Sequence, residues 1–232
     1  MPTQDELKRQ AAAAALDFVE SGMVVGLGGG STAALFIARL GQAVGNGALR
    51  DIVGIPSAPA VGTFAQAHGV PLTDLEHQPR IDVCVDGADE VSPQLDLVKG
   101  GGGLLTREKI LAQASVQLVI VVDESKHSEL LGQQWAIPVE VMEFGWTSQS
   151  NFMQELGARA VAVRRRPDGD PYRTDQGNLI LDADFGPLTA PADIAAALSA
   201  RAGIVEHGLF LGMTSHLITS YADGGLEVAG PA

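Results

Sequence analysis

Short apolar runs that break into a glycine-rich or acidic loop, then into a helix-like stretch, recur through the first half of this chain. That rhythm constrains the fold more than any other feature. Met23 to Leu27 enters Gly28-Gly29-Gly30, and Ser31-Thr32 precedes the helix-like Ala33 to Leu40. The alternation continues with Ile52 to Ile55 (strand), Ala60 to His68 (helix), Ile81 to Val85 (strand), Arg107 to Gln113 (helix) and Val116 to Val122 (strand). Strands alternating with helices predict a parallel sheet covered on both faces, with ligands at the carboxyl ends of its strands. A further helix is expected to precede this series, because Thr3 and Glu6 are spaced as a capping box and apolar residues then recur at helical spacing to about Glu20.

After about Leu130 the pattern changes. Ile137 to Val141, Ala160 to Arg164, Tyr172 to Thr174 and Leu179 to Leu181 read as strands, with helices over Gln149 to Leu156 and Ala192 to Ala200. Asp175-Gln176-Gly177-Asn178 has the composition of a hairpin turn. The expected organisation is a Rossmann-like α/β domain from 1–130 and 208–232, with a smaller inserted α+β domain from 131–207. Leu209 to Met213 and Leu217 to Tyr221 are expected to rejoin the first sheet. The run Arg164 to Arg166 reads as a solvated strand end rather than a binding patch.

Composition narrows the partners. With 28 acidic against 15 basic residues, the net charge is -13, which opposes a polyanion-binding surface and so excludes nucleic acid. A small anion remains possible, because a few lysines and amides converging on one pocket outweigh distant, screened charge. Cys84 is the only cysteine and sits within a predicted strand, so it is read as a core residue; no internal disulfide or thiolate metal cluster can form. No secretion signal or long apolar span is visible, and a cytoplasmic, membrane-free setting is expected. The five histidines show no metal-ligand spacing.

Three loops carry chemistry. Gly26 to Thr32 joins a strand to a helix, where close backbone approach and free amides suit a phosphate. It is neither a P-loop nor a dinucleotide fingerprint, since no lysine precedes Ser31 and the last required glycine is Ser31. Asp86-Gly87-Ala88-Asp89-Glu90 places three carboxylates in five residues; they repel unless they hold a cation, meet lysines or bind a polyhydroxylated ligand. The polyhydroxylated ligand is favoured over a calcium loop, whose remaining oxygen ligands are missing. Lys99-Gly100-Gly101-Gly102-Gly103 joins a positive charge to unshielded amides that suit an oxyanion, and Glu108 then falls at a helix start. Taken singly, Glu108 fits a helix-dipole role and Lys126 a surface one.

Taken together, these segments resemble ribose-5-phosphate isomerase A. The matching stretches are GLGGGSTA at 26–33, DGADEV at 86–91, KGGGG with TREKI at 99–110 and DESK at 123–126, in family order and spacing; EHGLF at 206–210 also resembles the family's return to its first domain. The resemblance implies an aldose-ketose isomerase with a sugar phosphate substrate, no cofactor and no metal, assembled as a homodimer or homotetramer. By resemblance Glu108 is the base that moves a proton between C2 and C1 through an enediolate. Asp86 assists ring opening and proton transfer at O1, and Asp89, Lys99 and the amides of Gly100, Gly101 and Gly102 orient and stabilise the reacting oxygens. Substrate contacts are implied for Gly29, Gly30, Gly87 and Ala88, and phosphate contacts for Lys8, Ser31, Thr32 and Lys126. A free glutamate, with a pKa of about 4.3, is a weak base, and partial burial is expected to raise it.

Two departures stand out: Gly29 replaces a threonine usual in the family, and Pro56 to Val61 carries fewer hydroxyls than its relatives do. Two rival readings are a coenzyme A transferase, with a glutamate nucleophile on a related fold, and a non-catalytic sugar-phosphate sensor. The first is disfavoured because the acidic loop and Lys99 suit a sugar phosphate and no second subunit-like half is visible; the second needs an output module, and a DNA-binding helix-turn-helix is not expected before Met23.

Overall fold

The computed structural model describes residues 2–230. In chain order its strands are β1 (Val24–Leu27), β2 (Val53–Pro56), β3 (Ile81–Asp86), β4 (Glu90–Val91), β5 (Leu97–Val98), β6 (Ser115–Asp123), β7 (Ile137–Val141), β8 (Ala160–Val163), β9 (Leu179–Asp184), β10 (Ile204–His207), β11 (Leu209–Phe210), β12 (His216–Ser220) and β13 (Leu226–Ala229). Its α-helices are α1 (Gln4–Ala14), α2 (Gly30–Gly45), α3 (Pro59–Ala67), α4 (Leu105–Ala114), α5 (Trp146–Glu155) and α6 (Pro191–Ser199).

The chain divides into two units. The first comprises Met1–Ala88, Arg107–Lys126 and Met213–Ala232; the second comprises Asp89–Thr106 and His127–Gly212. The first unit is built on a six-stranded sheet, order β13-β12-β6-β3-β1-β2, parallel throughout except for the edge strand β13. The interior strands β3 and β6 carry apolar runs, Val83 to Val85 and Leu118 to Val122, because helices cover a parallel sheet; Val83, Val85, Val119 and Val121 are all buried. Cys84 is buried too, and its Sγ lies 2.8 Å from where a Cβ on Gly26 would stand, so the thiol packs over a glycine of β1. The Thr3–Glu6 capping box forms, and α1 packs on α2. Helix α1 is shorter than expected: after Ala14 the chain tightens into a 3-10 turn over Ala15–Phe18, a common way for a helix to end.

In the second unit β7, α5, β8, β9, α6 and β10 follow one another and form a four-stranded antiparallel sheet, order β10-β7-β9-β8. This is the ferredoxin-like βαββαβ arrangement. Its core gathers Val139, Val141, Met153, Leu181, Ala183 and Leu198. Two sequence expectations are corrected here. Tyr172 to Thr174 forms no strand beyond single bridges, because the Asp175–Asn178 turn closes on Thr174 at once: Thr174 N–H donates to Asn178 O at 3.0 Å and Gly177 N–H to Thr174 O at 2.8 Å. Leu209 and Phe210 do not join the first sheet; they pair with β5 in a three-stranded sheet, order β11-β5-β4, while β12 does join the first sheet beside β6.

Glu90, at the start of β4, is fully buried, and its carboxylate accepts from the N–H groups of Gly132 (2.8 Å), Gln133 (3.0 Å) and Gln134 (2.9 Å). It is thus a structural anion that ties a loop to the small sheet. Glu90→Ala should strand those donors and lower unfolding free energy by roughly 3 kcal/mol, measured by urea denaturation.

Candidate active site

The first unit brings its motifs to one edge of the parallel sheet. From β1 the chain moves outward to β2 and then returns to the other side of β1 as β3, so the loops after β1 and β3 diverge at a topological switch point. Leu27 is in register with Val85, which sets Gly28 beside Asp86. Asp86, 1% exposed, leans across Gly28: a Cβ there would stand 2.2 Å from its Cγ. Its Oδ1 accepts from Gly29 N–H at 3.0 Å and Gly87 N–H at 2.8 Å. Helix α2 begins immediately afterwards, with Gly29 as an N-cap that supplies no side-chain bond. Ser31 lies in its first turn and accepts from Lys8 Nζ at 3.1 Å, so a cation, a hydroxyl and the positive end of a 16-residue helix converge. Thr32 follows in the same turn, and Lys126 closes the short 3-10 turn after β6. Glu108, 7% exposed, lies in the first turn of α4.

Beside that helix lies a cavity of about 470 Å³, lined in part by Pro56, Ala58, Pro59, Arg107, Ile110 and Leu111. It belongs to the neighbours of Glu108 rather than to Glu108 itself. Ser57, within the hydroxyl-poor loop, is fully buried and its hydroxyl has no hydrogen-bond partner among the described residues; its N–H donates to Leu27 O at 2.9 Å.

The second unit carries the remaining predicted residues. Asp89 Oδ2 accepts from Gly101 N–H at 2.6 Å, and Asp89 N–H donates to Val98 O at 2.9 Å, so the acidic loop and the KGGGG loop hold each other. Lys99 is 4% exposed, and its Nζ lies 5.6 Å from the centre of the Phe210 ring, within cation–π range. Its main chain is pinned by Gly208: Lys99 N–H donates to Gly208 O at 2.8 Å, and a Cβ on Gly208 would stand 2.2 Å from Lys99 O. Gly208 was legible only as part of EHGLF, with no sign of what it touches. At the start of α4, the Thr106 hydroxyl donates to Glu140, a buried carboxylate that also accepts from Thr174 Oγ1 and Asn178 Nδ2, each at 2.8 Å.

Asp86, Asp89 and Glu90 each take backbone N–H donors from a different loop. Among the described residues, no group of three or more histidine, cysteine, aspartate or glutamate side chains is placed to hold a metal ion.

A carboxylate on glycine amides, a helix start with lysine and serine, and a buried glutamate suit a small phosphorylated ligand. The sequence profile of ribose 5-phosphate isomerase A (phosphoriboisomerase A) matches residues 53–224. The chain belongs to the ribose 5-phosphate isomerase A family. It is 52% identical to ribose-5-phosphate isomerase A of Desulfatibacillum aliphaticivorans over 224 residues, 97% of each chain. Among solved structures it is similar to a D-ribose-5-phosphate isomerase in complex with phospho-erythronic acid, with a TM-score of 0.95, 36% identity and coverage of 99% of this chain and 100% of that one. It is also similar to ribose 5-phosphate isomerase A of Methanocaldococcus jannaschii, with a TM-score of 0.92, 33% identity and coverage of 98% and 100%. Gly29 contributes its N–H to Asp86, a donor that any residue except proline would also supply.

Gly28→Ala places a methyl on the Asp86 carboxylate. It should lower stability by about 1–3 kcal/mol through overpacking, measured by thermal and urea unfolding. Gly102→Ala, whose Cβ meets nothing within 4 Å, should change stability far less in the same measurements.

Proposed function

We propose that this chain interconverts D-ribose 5-phosphate and D-ribulose 5-phosphate through an enediolate, as a step of non-oxidative pentose phosphate metabolism. The observation that carries the reading is the seat of Asp86 on glycine amides at the sheet's switch point, in a member of this family that keeps Glu108 buried on α4.

In the open-chain aldose the proton on C2 is acidic because the C1 carbonyl withdraws electrons. Glu108 takes that proton, and the electron pair moves through C1–C2 to leave a negative O1. Returning the same proton to C1, with the O2 proton passing to O1, gives the ketose. Asp86 opens the furanose ring and handles the proton at O1. Lys99 and the amides of the Gly100 to Gly102 loop that Asp89 does not occupy offset the developing charge, and Asp89, which holds Gly101 N–H, orients the reacting oxygens. Lys8, Ser31, Thr32 and Lys126 hold the phosphate, with Gly29, Gly30, Gly87 and Ala88 along the sugar. Substrate and product are isomers of equal oxidation level, so no hydride carrier is required.

The same reading includes a cytoplasmic protein and a homodimer or homotetramer. Large apolar side chains on the second unit suit such assembly: Phe144 is 91% exposed, beside Met142 at 52%.

Purified protein in EDTA should convert ribose 5-phosphate to ribulose 5-phosphate, and Glu108→Gln should lose about 10²- to 10⁴-fold in kcat while still binding substrate. Normal turnover by that variant overturns the base assignment. Ligand binding by wild type without turnover favours a sugar-phosphate sensor.

A further inference from the structure

The arginine run after β8 does not behave as one solvated patch, and this corrects the sequence reading at its first member. Arg165 and Arg166 are exposed and bond within their own turn, to Gly169 O and to Asp168 and Asp170. Arg164 has a side chain only 15% exposed. Its Nε donates to Asp182 Oδ2 at 3.0 Å and its Nη2 to Asp182 Oδ1, a two-point fork onto a carboxylate of β9. The remaining nitrogen, Nη1, donates to Gly100 O at 2.6 Å and to Gly101 O at 3.0 Å. The next carbonyl, Gly102 O, accepts from the Tyr172 hydroxyl at 3.3 Å. Burial, and then the nearby Asp175 carboxylate, push that phenol above its ordinary pKa, so it remains a donor.

Three successive carbonyls of the glycine loop are thus held by side chains from the β8–β9 region. In a trans peptide the following N–H points away from its carbonyl, so fixing the carbonyls fixes the amides. Gly101 N–H goes to Asp89 and Gly103 N–H returns to Gly100 O at 2.9 Å, whereas no described residue accepts from Gly102 N–H. Four consecutive glycines, with Gly100 and Gly103 at positive φ, cannot hold such an arrangement by their own conformational preferences.

We propose that Arg164, locked by Asp182, is a positioning residue that aims the glycine-loop amides, Gly102 N–H above all, at the oxygen on which charge develops. The inference rests on the isomerase reading for its chemistry and on the loop contacts for its geometry. Drawing on the carbonyls also polarises each peptide and strengthens its N–H as a donor. A lysine would keep the charge but cannot fork onto the carboxylate and reach two carbonyls together.

The test compares wild type with Arg164→Lys, Arg164→Ala and the control Arg165→Ala. Four readouts are needed: kcat and KM for ribose 5-phosphate, the Kd of phospho-erythronic acid, melting temperature, and the amide resonances of Gly101 and Gly102. Arg164→Lys should lose about 10- to 100-fold in kcat with KM within about twofold, less than the roughly 10²- to 10³-fold of a removed oxyanion donor because the amide is misaimed rather than lost, and should bind the anionic analogue about tenfold more weakly. Added guanidinium should restore part of the kcat of Arg164→Ala, and Arg165→Ala should match wild type. Arg164→Lys with wild-type kcat and analogue affinity overturns the proposal. So does a loss that only follows the unfolded fraction and is not rescued. If wild type itself lacks isomerase activity, the functional reading fails separately; the amide resonances then decide the positioning role, which unshifted Gly101 and Gly102 signals in Arg164→Lys would refute.

Discussion

The carboxylate of Asp86 rests on the N–H groups of Gly29 and Gly87, across a glycine that leaves no room for a methyl group. A buried carboxylate is costly unless donors meet it, and these donors exist only because β1 and β3 run in parallel register and both end at this level. The start of α2 follows from the same constraint: the backbone that turns its amides toward Asp86 then enters the helix, where Lys8 and Ser31 meet. Removing the side chain at position 28 and placing one at position 86 are therefore a single structural decision.

The same device recurs through an acidic chain. Asp89 is met by a glycine-loop amide, Glu90 by three amides of one turn, and Glu140 by two hydroxyl groups and an amide side chain. None of these buried or half-buried acids needs a lysine for the contacts described. Lys99, buried in the second unit, has the face of Phe210 among its neighbours there.

Much of the fold was legible because burial on both faces leaves short apolar runs inside strands, such as Val83–Val85 and Leu118–Val122, and because a capping box announces α1. The motifs of the candidate site were legible as loops, since runs of glycine and acid interrupt the apolar pattern at strand ends. Their supports were not. Arg164 stands in a run of three arginines with identical local chemistry, and only the fold determines which of them turns inward. Gly208 lies more than a hundred residues after Lys99, and nothing in its neighbourhood names the partner. Leu209 and Phe210 carry too short an apolar run to declare their sheet, and pairing with β5 decided it. The 89–106 segment belongs to the second unit, where its β5 pairs with β11; both are two-residue strands, below the length at which a periodic pattern can be read.

Strand β6 is flanked by β3 on one side and by β12 on the other, and β12 comes from the final stretch of the chain. During synthesis the ribosome delivers the buried run Leu118–Val122 nearly a hundred residues before its second neighbour. Throughout that interval the nascent chain exposes an apolar strand with one open edge, a template for pairing with other chains. Release of a truncated product ending before His216 would make that exposure permanent, so premature termination yields an aggregation-prone species rather than a smaller working protein.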